Sequence, residues 1–474
     1  MIHWFRRDLR LTDNPALQEA ATAGRVLPLF ILDTRHGELM RTGAASRWWL
    51  HHSLLALDRS LDGRLRVVAG DPLVLLPALI RQAGARAVYW NRCYEPWQIA
   101  RDRQLKATLK EVDIEAHSFN ASLLWEPWEV HKDNGEPYRV FTPYYRRGCL
   151  GRPAPQRPRP APDALPSKPP EDGEVCGPEA IRALGLLPDH PWHKQLETHW
   201  SIGEAGARQR LDDFLANGLD DYREGRNFPA RPNTSRLSAA LHFGELSPRQ
   251  VWHAASEEAL TRGLEKELDS FQSELGWREF SYYQLYHNPD LPAANLQAKF
   301  DQFPWLDRPE ARRAWQQGRT GIPLVDAGMR ELWQTGYLHN RVRMVVASFL
   351  TKNLMQHWQH GERWFRDTLV DADLASNCAG WQWVAGCGLD AAPYFRIFNP
   401  VTQSRRFDPQ GDYIRRYVPE LAALPDRHLH APWEAPASVL EECDIRLGQD
   451  YPEPMVDLKQ SRVAALDAFK SISG

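Results

Sequence analysis

The stretch HWQHGERWFRDTLVDADLASNCAGWQWVAG, residues 357–386, sets Trp358, Trp381 and Trp383, three of its four tryptophans, around Asp371, Asp373 and Asn377. On a helix, Asp373, Asn377 and Trp381 are spaced by four and share one face, while Trp383 points elsewhere. A face offering a carboxylate, an amide and then an indole suits a flat redox ring with polar edges. A Trp-rich core helix with capping aspartates is the plainer reading of any one of these residues. The combination carries the functional reading.

Three further segments have chemistry-bearing spacing. In DDYREGRNFPARPNTSRLSAALHFGELSP, Thr234, Ser235 and Ser238 supply hydroxyls beside the N–H groups of a starting helix, a ready place for a phosphate or pyrophosphate, with Arg236 to neutralise charge. A plain Ser/Thr helix cap is the alternative. In SELGWREF, Glu274, Trp277 and Arg278 are three and four apart and share a helix face. That is either a buried Glu–Arg pair with a packed indole or a stacking surface beside a carboxylate, suited to a nucleobase. In HNRVRM, Asn340 and Met344 share a face flanked by Arg341 and Arg343. Arginines around a soft apolar residue suit a phosphate rim on an apolar pocket; a solvated basic face leaves Asn340 and Met344 unexplained.

The elements that must position these residues fall into three regions. Residues 1–119 alternate apolar and amphipathic runs, which predicts strands at Ile2–Phe5, Val26–Leu32, Leu65–Ala69, Ala87–Asn91 and Ile114–Phe119. Helices are predicted between them at Pro15–Ala23, Ala45–Asp58, Pro72–Gln82 and Pro96–Leu109. Asn14-Pro15 and Asp71-Pro72 read as an N-cap followed by proline at the first helical position. The alternation implies an α/β domain over 1–128, a Rossmann-like parallel sheet with helices on both faces, whose ligand side is the carboxyl ends of the strands. No G-x-G-x-x-G follows the first strand; WFRRDLR stands there, so the usual dinucleotide fingerprint is absent. Residues 129–200 read as an extended inter-domain linker, with GRPAPQRPRPAPDALPSKPP at 151–170 both Pro-rich and basic. From 201 to 474 the three- and four-residue apolar spacing is helical throughout, a large all-α domain.

Composition narrows the class. The 474 residues suffice for two or three domains, and 43% hydrophobic with 25% charged residues is globular. The net charge of −3 leaves room for a local basic groove, so nucleic acid is not excluded. Six cysteines without a CxxC or metal-ligand spacing fit a reducing, cytoplasmic setting and no metal site. The charged N-terminus is no signal peptide, and no run of about 18 apolar residues exists to span a membrane. The 19 tryptophans are unusually many.

WFRRDLRLTDNPAL, TSRLS, LGWREF, TGIPLVDAGMREL, HNRVRM, VDADLASNCAGWQWVAG and DAAPYFRIFNPVTQS occur in an order and over a span that resemble the DNA photolyase/cryptochrome family along nearly the whole chain. The nearest likeness is to photolyases that repair cyclobutane pyrimidine dimers; GAASRWWLHHSL and YEPWQIARD suggest the class III subgroup. The resemblance implies a U-shaped, non-covalent FAD in the helical domain. Tyr222, Thr234, Ser235, Arg236, Leu237 and Ser238 would hold its phosphates and ribityl region. Arg278, Asn340, Arg343, Asp371, Asp373 and Asn377 would line flavin and adenine, with Asn377 facing flavin N5. A neutral amide can donate or accept there. Plant cryptochromes typically carry Asp at that position, so Asn377 points to repair.

The same resemblance places Glu274, Trp277, Asn340, Met344 and Trp383 in the dimer pocket, and Arg226, Arg341 and Gln403 at the DNA rim. It implies that light absorbed by reduced FAD sends an electron to the dimer, the ring splits, and the electron returns, with Glu274 donating to a thymine carbonyl if protonated. Trp381, Trp358 and Trp305 match the chain that reduces oxidised FAD. The N-terminal domain would hold an antenna, 5,10-methenyltetrahydrofolate ahead of a deazaflavin, near Glu95 and Trp97, although ordinary helix-start residues explain that pair equally well. The partner implied is dimer-containing DNA, with no membrane, no obligate protein partner and a monomeric state. The alternatives are a cryptochrome-type blue-light signalling flavoprotein, disfavoured because the sequence ends soon after its last motif, and a flavin electron-transfer protein without DNA, which needs no such pocket.

Overall fold

The computed structural model describes residues 1–35, 42–165, 176–188, 190–390 and 395–473. Expectations for 166–175 and 189 in the linker, and for 391–394 in DAAPYFRIFNPVTQS, lie outside the described residues, as do 36–41 and 474.

Segments of four to seven residues, largely apolar except in β5, become the strands β1 Ile2–Phe5, β2 Leu27–Asp33, β3 Arg66–Gly70, β4 Ala87–Asn91 and β5 Glu115–Phe119. They form one parallel sheet in the order β3-β2-β1-β4-β5, with Ile2 of β1 aligned with Leu27 of β2 and Val88 of β4. The helices between them are α1 Pro15–Ala23, α2 Ala44–Ser60, α3 Pro72–Ala83 and α4 Pro96–Glu111. Asn14 accepts from the Leu17 N–H and Asp71 from the Leu73 N–H, each followed by proline at the helix start, so both expected caps form. β1 and β4 are buried along their whole length. Trp4 and Trp90 pack with Ile2, Leu29, Ile31, Leu76 and Leu105 in the core of this domain. The α/β expectation holds.

In such a sheet the ligand crevice opens where the strand order reverses, here between β1 and β4. Side chains of the chain itself occupy it. Arg6 donates from Nη1 to both carboxylate oxygens of Asp102, at 2.9 and 2.7 Å. Asn91 donates to Asp8 at 2.6 Å and to Asn14 at 2.6 Å. WFRRDLR therefore builds a salt-bridged floor where a glycine-rich loop would leave room for a pyrophosphate.

The expected linker contains helical turns at Tyr144–Cys149, Gly177–Ala183 and Pro191–His199, while the Pro-rich residues 153–162 form no regular element. The remainder is helical as expected: α5 Glu204–Asn217, α6 Ser238–Phe243, α7 Pro248–Arg262, α8 Glu265–His287, α9 Pro309–Gln316, α10 Pro323–Thr335, α11 Asn340–Ser348, α12 Trp358–Thr368, α13 Leu374–Ala385 and α14 Pro400–Phe407, with short turns after them and a last helix at Leu458–Ser471. Ser247 and Gln250 cap α7 reciprocally, at 3.0 and 2.8 Å. No helix among the described residues is long and apolar enough to cross a membrane.

Two local expectations change. HNRVRMVVASFLTKNLMQHW is not one helix: α11 passes into a π turn at Phe349–Asn353, Met355 takes φ +51°, and α12 starts afresh with His357 accepting from the Gln359 N–H. Asp373 lies just before α13, so Asn377 and Trp381 share a helical face without it.

The chain clusters into two compact units. One comprises Met1–Ala216, Ser235–Pro289 and Val370–Ala375; the other Asn217–Thr234, Asp290–Leu369 and Ser376–Gly474. Within the first, Gly244 ends α6 at φ +68°, and a Cβ there would meet the Arg7 carbonyl oxygen at 2.1 Å and the Asp8 Cα at 2.6 Å. Neither backbone atom can swing aside. Gly244→Ala is expected to lower stability by about 2–4 kcal/mol, read as a fall in the thermal unfolding midpoint.

Candidate functional site

In the first unit the two aspartates of VDAD are held from different directions. Asp371 accepts from the Ser238 hydroxyl at 2.5 Å. Asp373 accepts from the Tyr282 hydroxyl on α8, lies 3.4 Å from His242 Nδ1 on α6, and lies 4.0 Å from Arg7 Nη1 in the loop after β1. Burial alone would raise the Asp373 carboxyl. The hydrogen bond from His242, then the Arg278 charge and the Tyr282 hydroxyl, outweigh it and hold the group well below the usual carboxylate range. Burial and the Arg7 charge push His242 down, so it stays neutral near pH 7.

The SELGWREF face divides its work. Arg278 donates to the Ser122 carbonyl at 2.7 Å and stacks over Tyr282 at 5.1 Å. The next residue, Glu279, accepts the N–H groups of Leu124 and Trp125 at 2.9 and 3.1 Å. Burial pushes its carboxyl up to about 7 despite Arg278. Together they tie α8 to the segment after β5. Trp277 stacks on Phe141 at 3.8 Å and 11°, which fixes its plane, and Glu274 is half-buried on the same helix. In TSRLS, Ser238 starts a helix of only six residues with no side-chain cap. Thr234 and Ser235 precede it, and Arg236 sits at φ +51° with its guanidinium 4.7 Å over Trp200. Neither the plain cap nor a long helix start therefore describes this segment. Glu95, 1% exposed, is paired with Arg7 at 3.0 Å; Trp97 is half-buried on α4.

In the second unit, Asn377 Nδ2 donates to both the carbonyl and the carboxylate of Glu362, each at 3.1 Å. Glu362 is 2% exposed, and burial raises its carboxyl. With both amide hydrogens directed at Glu362, the Asn377 oxygen is left as its acceptor. Trp381 is buried against Phe365 and Trp315, at 4.9 and 6.2 Å, both edge-on. A Cβ on Gly361 would meet its ring at 2.0 Å, so the indole occupies the space of a missing side chain. Its Nε1 is shielded and has no partner among the described residues. Trp358 is buried and donates to Asn295 at 2.8 Å; His357 lies between it and the half-buried Trp305, at 5.6 and 5.1 Å.

Of the remaining expected residues of this unit, Arg226, Arg341 and Arg343 gather beside His339. Arg341 donates to Asn227 and lies 4.3 Å over Phe407; Arg226 stacks 5.5 Å over the buried Tyr222. His339 caps α11, accepting from the Arg341 N–H at 3.2 Å. Burial, with Arg341, Arg226 and Arg343 beside it, pushes His339 down to about 3, so it adds no charge there at neutral pH. Arg343 donates to the Leu338 carbonyl at 2.6 Å. Asn340 is exposed, Met344 and Trp383 are half-buried, and the Gln403 Oε1 is shielded without a partner among the described residues.

Each unit thus gathers its own share of the expected residues. Arg7, His242 and Tyr282 around Asp373, and Glu362 and Gly361 around Asn377 and Trp381, escaped the sequence reading. Only Gly361 carried a signal, as a glycine in the midst of the tryptophan-rich stretch. Taken separately, the first unit offers two carboxylates and a hydroxyl, and the second an amide oxygen and a shielded indole N–H, groups of the kinds that can meet the ring N–H, hydroxyl and phosphate groups of a flavin dinucleotide. Among the described residues no group of three or more His, Cys, Asp or Glu side chains could hold a metal ion.

A Rossmann-like domain followed by a largely helical remainder is an architecture that nucleotide-binding flavoproteins use. Residues 1–163 match the family model for DNA photolyase, and residues 271–471 that for the FAD binding domain of DNA photolyase. The chain is 46% identical to the deoxyribodipyrimidine photo-lyase of Agrobacterium fabrum, over 100% of its own length and 98% of the relative's. It is 38% identical to Cryptochrome-1 of Arabidopsis thaliana, over 99% of its own length and 70% of that protein's. The crystal structure of a bacterial class III photolyase from Agrobacterium tumefaciens superposes with a TM-score of 0.94 at 46% identity, covering 99% of this chain and 97% of that one. The chain belongs to the DNA photolyase family.

The Asn377–Glu362 pair makes a pH-dependent prediction. Asn377→Asp would set two carboxyl groups about 3 Å apart where only one can ionise, raising the folded-state pKa of the pair. A raised folded pKa means stability lost as pH rises through it. The variant is expected to unfold at lower temperature than the parent, with a deficit larger at pH 8 than at pH 6, measured by thermal scans at both.

Proposed function

We propose that this protein repairs cyclobutane pyrimidine dimers in DNA with blue light and bound FAD. The enzyme is a deoxyribodipyrimidine photo-lyase, a carbon–carbon lyase. The observation that carries this reading is Asn377, an amide anchored through both hydrogens on Glu362, where plant cryptochromes typically carry a carboxylate. Reduced FAD, when bound, supplies the photoexcited electron that opens the cyclobutane ring.

The chain's residues supply everything else. Tyr222, Thr234, Ser235, Arg236, Leu237 and Ser238 hold the phosphates and ribityl chain. Arg278, Asn340, Arg343, Asp371, Asp373 and Asn377 line flavin and adenine, with the Asn377 oxygen accepting from a ring N–H. Glu274 hydrogen-bonds a thymine carbonyl, and Trp277, Asn340, Met344 and Trp383 receive the dimer, Trp277 with its plane set by Phe141. Arg226, Arg341 and Gln403 meet the DNA backbone at the rim. The lesion leaves the stack to reach this pocket, and a damaged pair costs less to extrude; photolyases are among the known base-flipping enzymes. The antenna is 5,10-methenyltetrahydrofolate, in keeping with the class III likeness, held by the 1–128 domain, and the 201–474 domain is catalytic. The protein works as a cytoplasmic monomer. A cryptochrome-type signalling role is the second reading, favoured by the 38% identity to Cryptochrome-1.

The deciding experiment mixes reduced holoprotein with an oligonucleotide carrying a thymine dimer and illuminates it with blue light. Restored thymines are the expected product; no light-dependent repair overturns the proposal and leaves signalling. Trp381→Phe is expected to abolish photoreduction of oxidised FAD, followed by flavin absorbance, while sparing repair by pre-reduced enzyme, followed by restored thymines. Binding to dimer-containing DNA should weaken with salt, log K falling against log salt with a slope of about −0.9 per phosphate contacted; Arg341→Ala should make that slope shallower by about one such contact.

A further inference from the structure

We infer that Arg7, supplied by the loop after β1, is a positioning residue for the flavin, acting through Asp373 with Glu95 and His242. This rests on the reading above that Asp373 lines the FAD site.

The loop WFRRDLR sits at the strand-order reversal, where this class of fold ordinarily receives a nucleotide. Arg6 and Arg7 take different partners. Arg6 fills the crevice against Asp102. Arg7 has Nη1 3.0 Å from Glu95, 3.3 Å from His242 Nδ1 and 4.0 Å from Asp373. The approach is fixed by the backbone, because the Leu9 N–H donates to the Phe243 carbonyl at 3.1 Å and Gly244 lies against Arg7 itself. The contact that places Arg7 therefore also places His242, one residue before Phe243.

The charges require this arrangement. Glu95 and Asp373 are both buried, at 1% and 6% exposure. Two carboxylates in one shielded cluster cannot both stay ionised without a cation among them. Arg7 reaches both, and Arg278 adds charge from α8. His242 Nδ1 can donate to Asp373 or accept from Arg7 but not both, so its tautomer depends on where the guanidinium sits. Tyr282 donates to the same Asp373 oxygen. The orientation and charge of Asp373 are thus set from the N-terminal sheet. A purely structural ion pair would hold the same elements together but would have no reason to act on the electronics of a flavin.

The test measures the reduction potential of bound FAD by dye equilibration in four folded holoprotein variants. Arg7→Gln removes the cation and is expected to lower the ratio of reduced to oxidised FAD at fixed potential about tenfold, a shift of about 30 mV for a two-electron couple. Arg7→Lys should restore most of it. Glu95→Gln leaves Arg7 less neutralised and should shift the ratio the opposite way. A structural role alone predicts lowered thermal midpoints with no signed pair of potential shifts. Unchanged potentials in both Arg7→Gln and Glu95→Gln overturn the proposal, and so do shifts of the same sign. If Arg7→Gln does not fold, Glu95→Gln decides alone: a raised ratio supports the proposal and an unchanged or lowered one overturns it. Asp373→Asn separates the two levels. If it too leaves the potential unchanged, the reading of Asp373 as a flavin residue fails; if it alone shifts the potential, only the role of Arg7 fails.

Discussion

A carboxylate shut away from water has to find its partners inside the protein, and Asp373 finds them in a β-strand loop, two helices and the hydroxyl of Tyr282. Much of the first unit's organisation follows from that requirement. Gly244 exists as glycine so that the end of α6 can lie on the Arg7 backbone. His242 and Phe243 are carried into place by the same contact, and Tyr282 sets the phase of α8, the helix that also carries Trp277 and Glu274. Arg278 and Glu279 then tie α8 to the segment after β5. The sheet is the wall from which a charged arm is aimed, and its own ligand crevice is closed by Arg6 and Asp102.

The tryptophans sort by environment. Trp4 and Trp90 are core residues beneath buried arginines, with the Arg6 guanidinium 4.9 Å over Trp4. Trp277 is held flat by Phe141. Trp381 and Trp358 are buried and Trp305 is half-buried, with His357 between the last two. Chemical identity is the same throughout; what differs is whether the indole N–H is satisfied and what covers the ring.

The N-terminal sheet was legible because its signals are local. Asn14-Pro15 and Asp71-Pro72 mark helix starts by cap chemistry, and β1, β4 and α1 have the boundaries their apolar runs suggest. The break between α11 and α12 was not legible, because apolar periodicity continues through the π turn and Met355 is an unusual residue for a left-handed conformation. The family motifs marked most of the candidate site residues. They could not reveal the partners of those residues, because Arg7 and Asp373, or Asn377 and Glu362, meet through tertiary packing. Asp373 shows the cost of reading a face from spacing alone: its four-residue offset from Asn377 is real, but the helix begins after it.

The seat of Trp381 has a further consequence. Its ring is enclosed by the bare Cα of Gly361 on one side and by the edge-on rings of Trp315 and Phe365 on others. A close-packed enclosure without mobile dipoles has few atoms that can rearrange when the indole gains or loses a charge. Small nuclear rearrangement is what lets an electron hop quickly between rings at low driving force. On the electron-transfer role proposed for Trp381, glycine at 361 would therefore shape the rate of charge transfer as well as the packing.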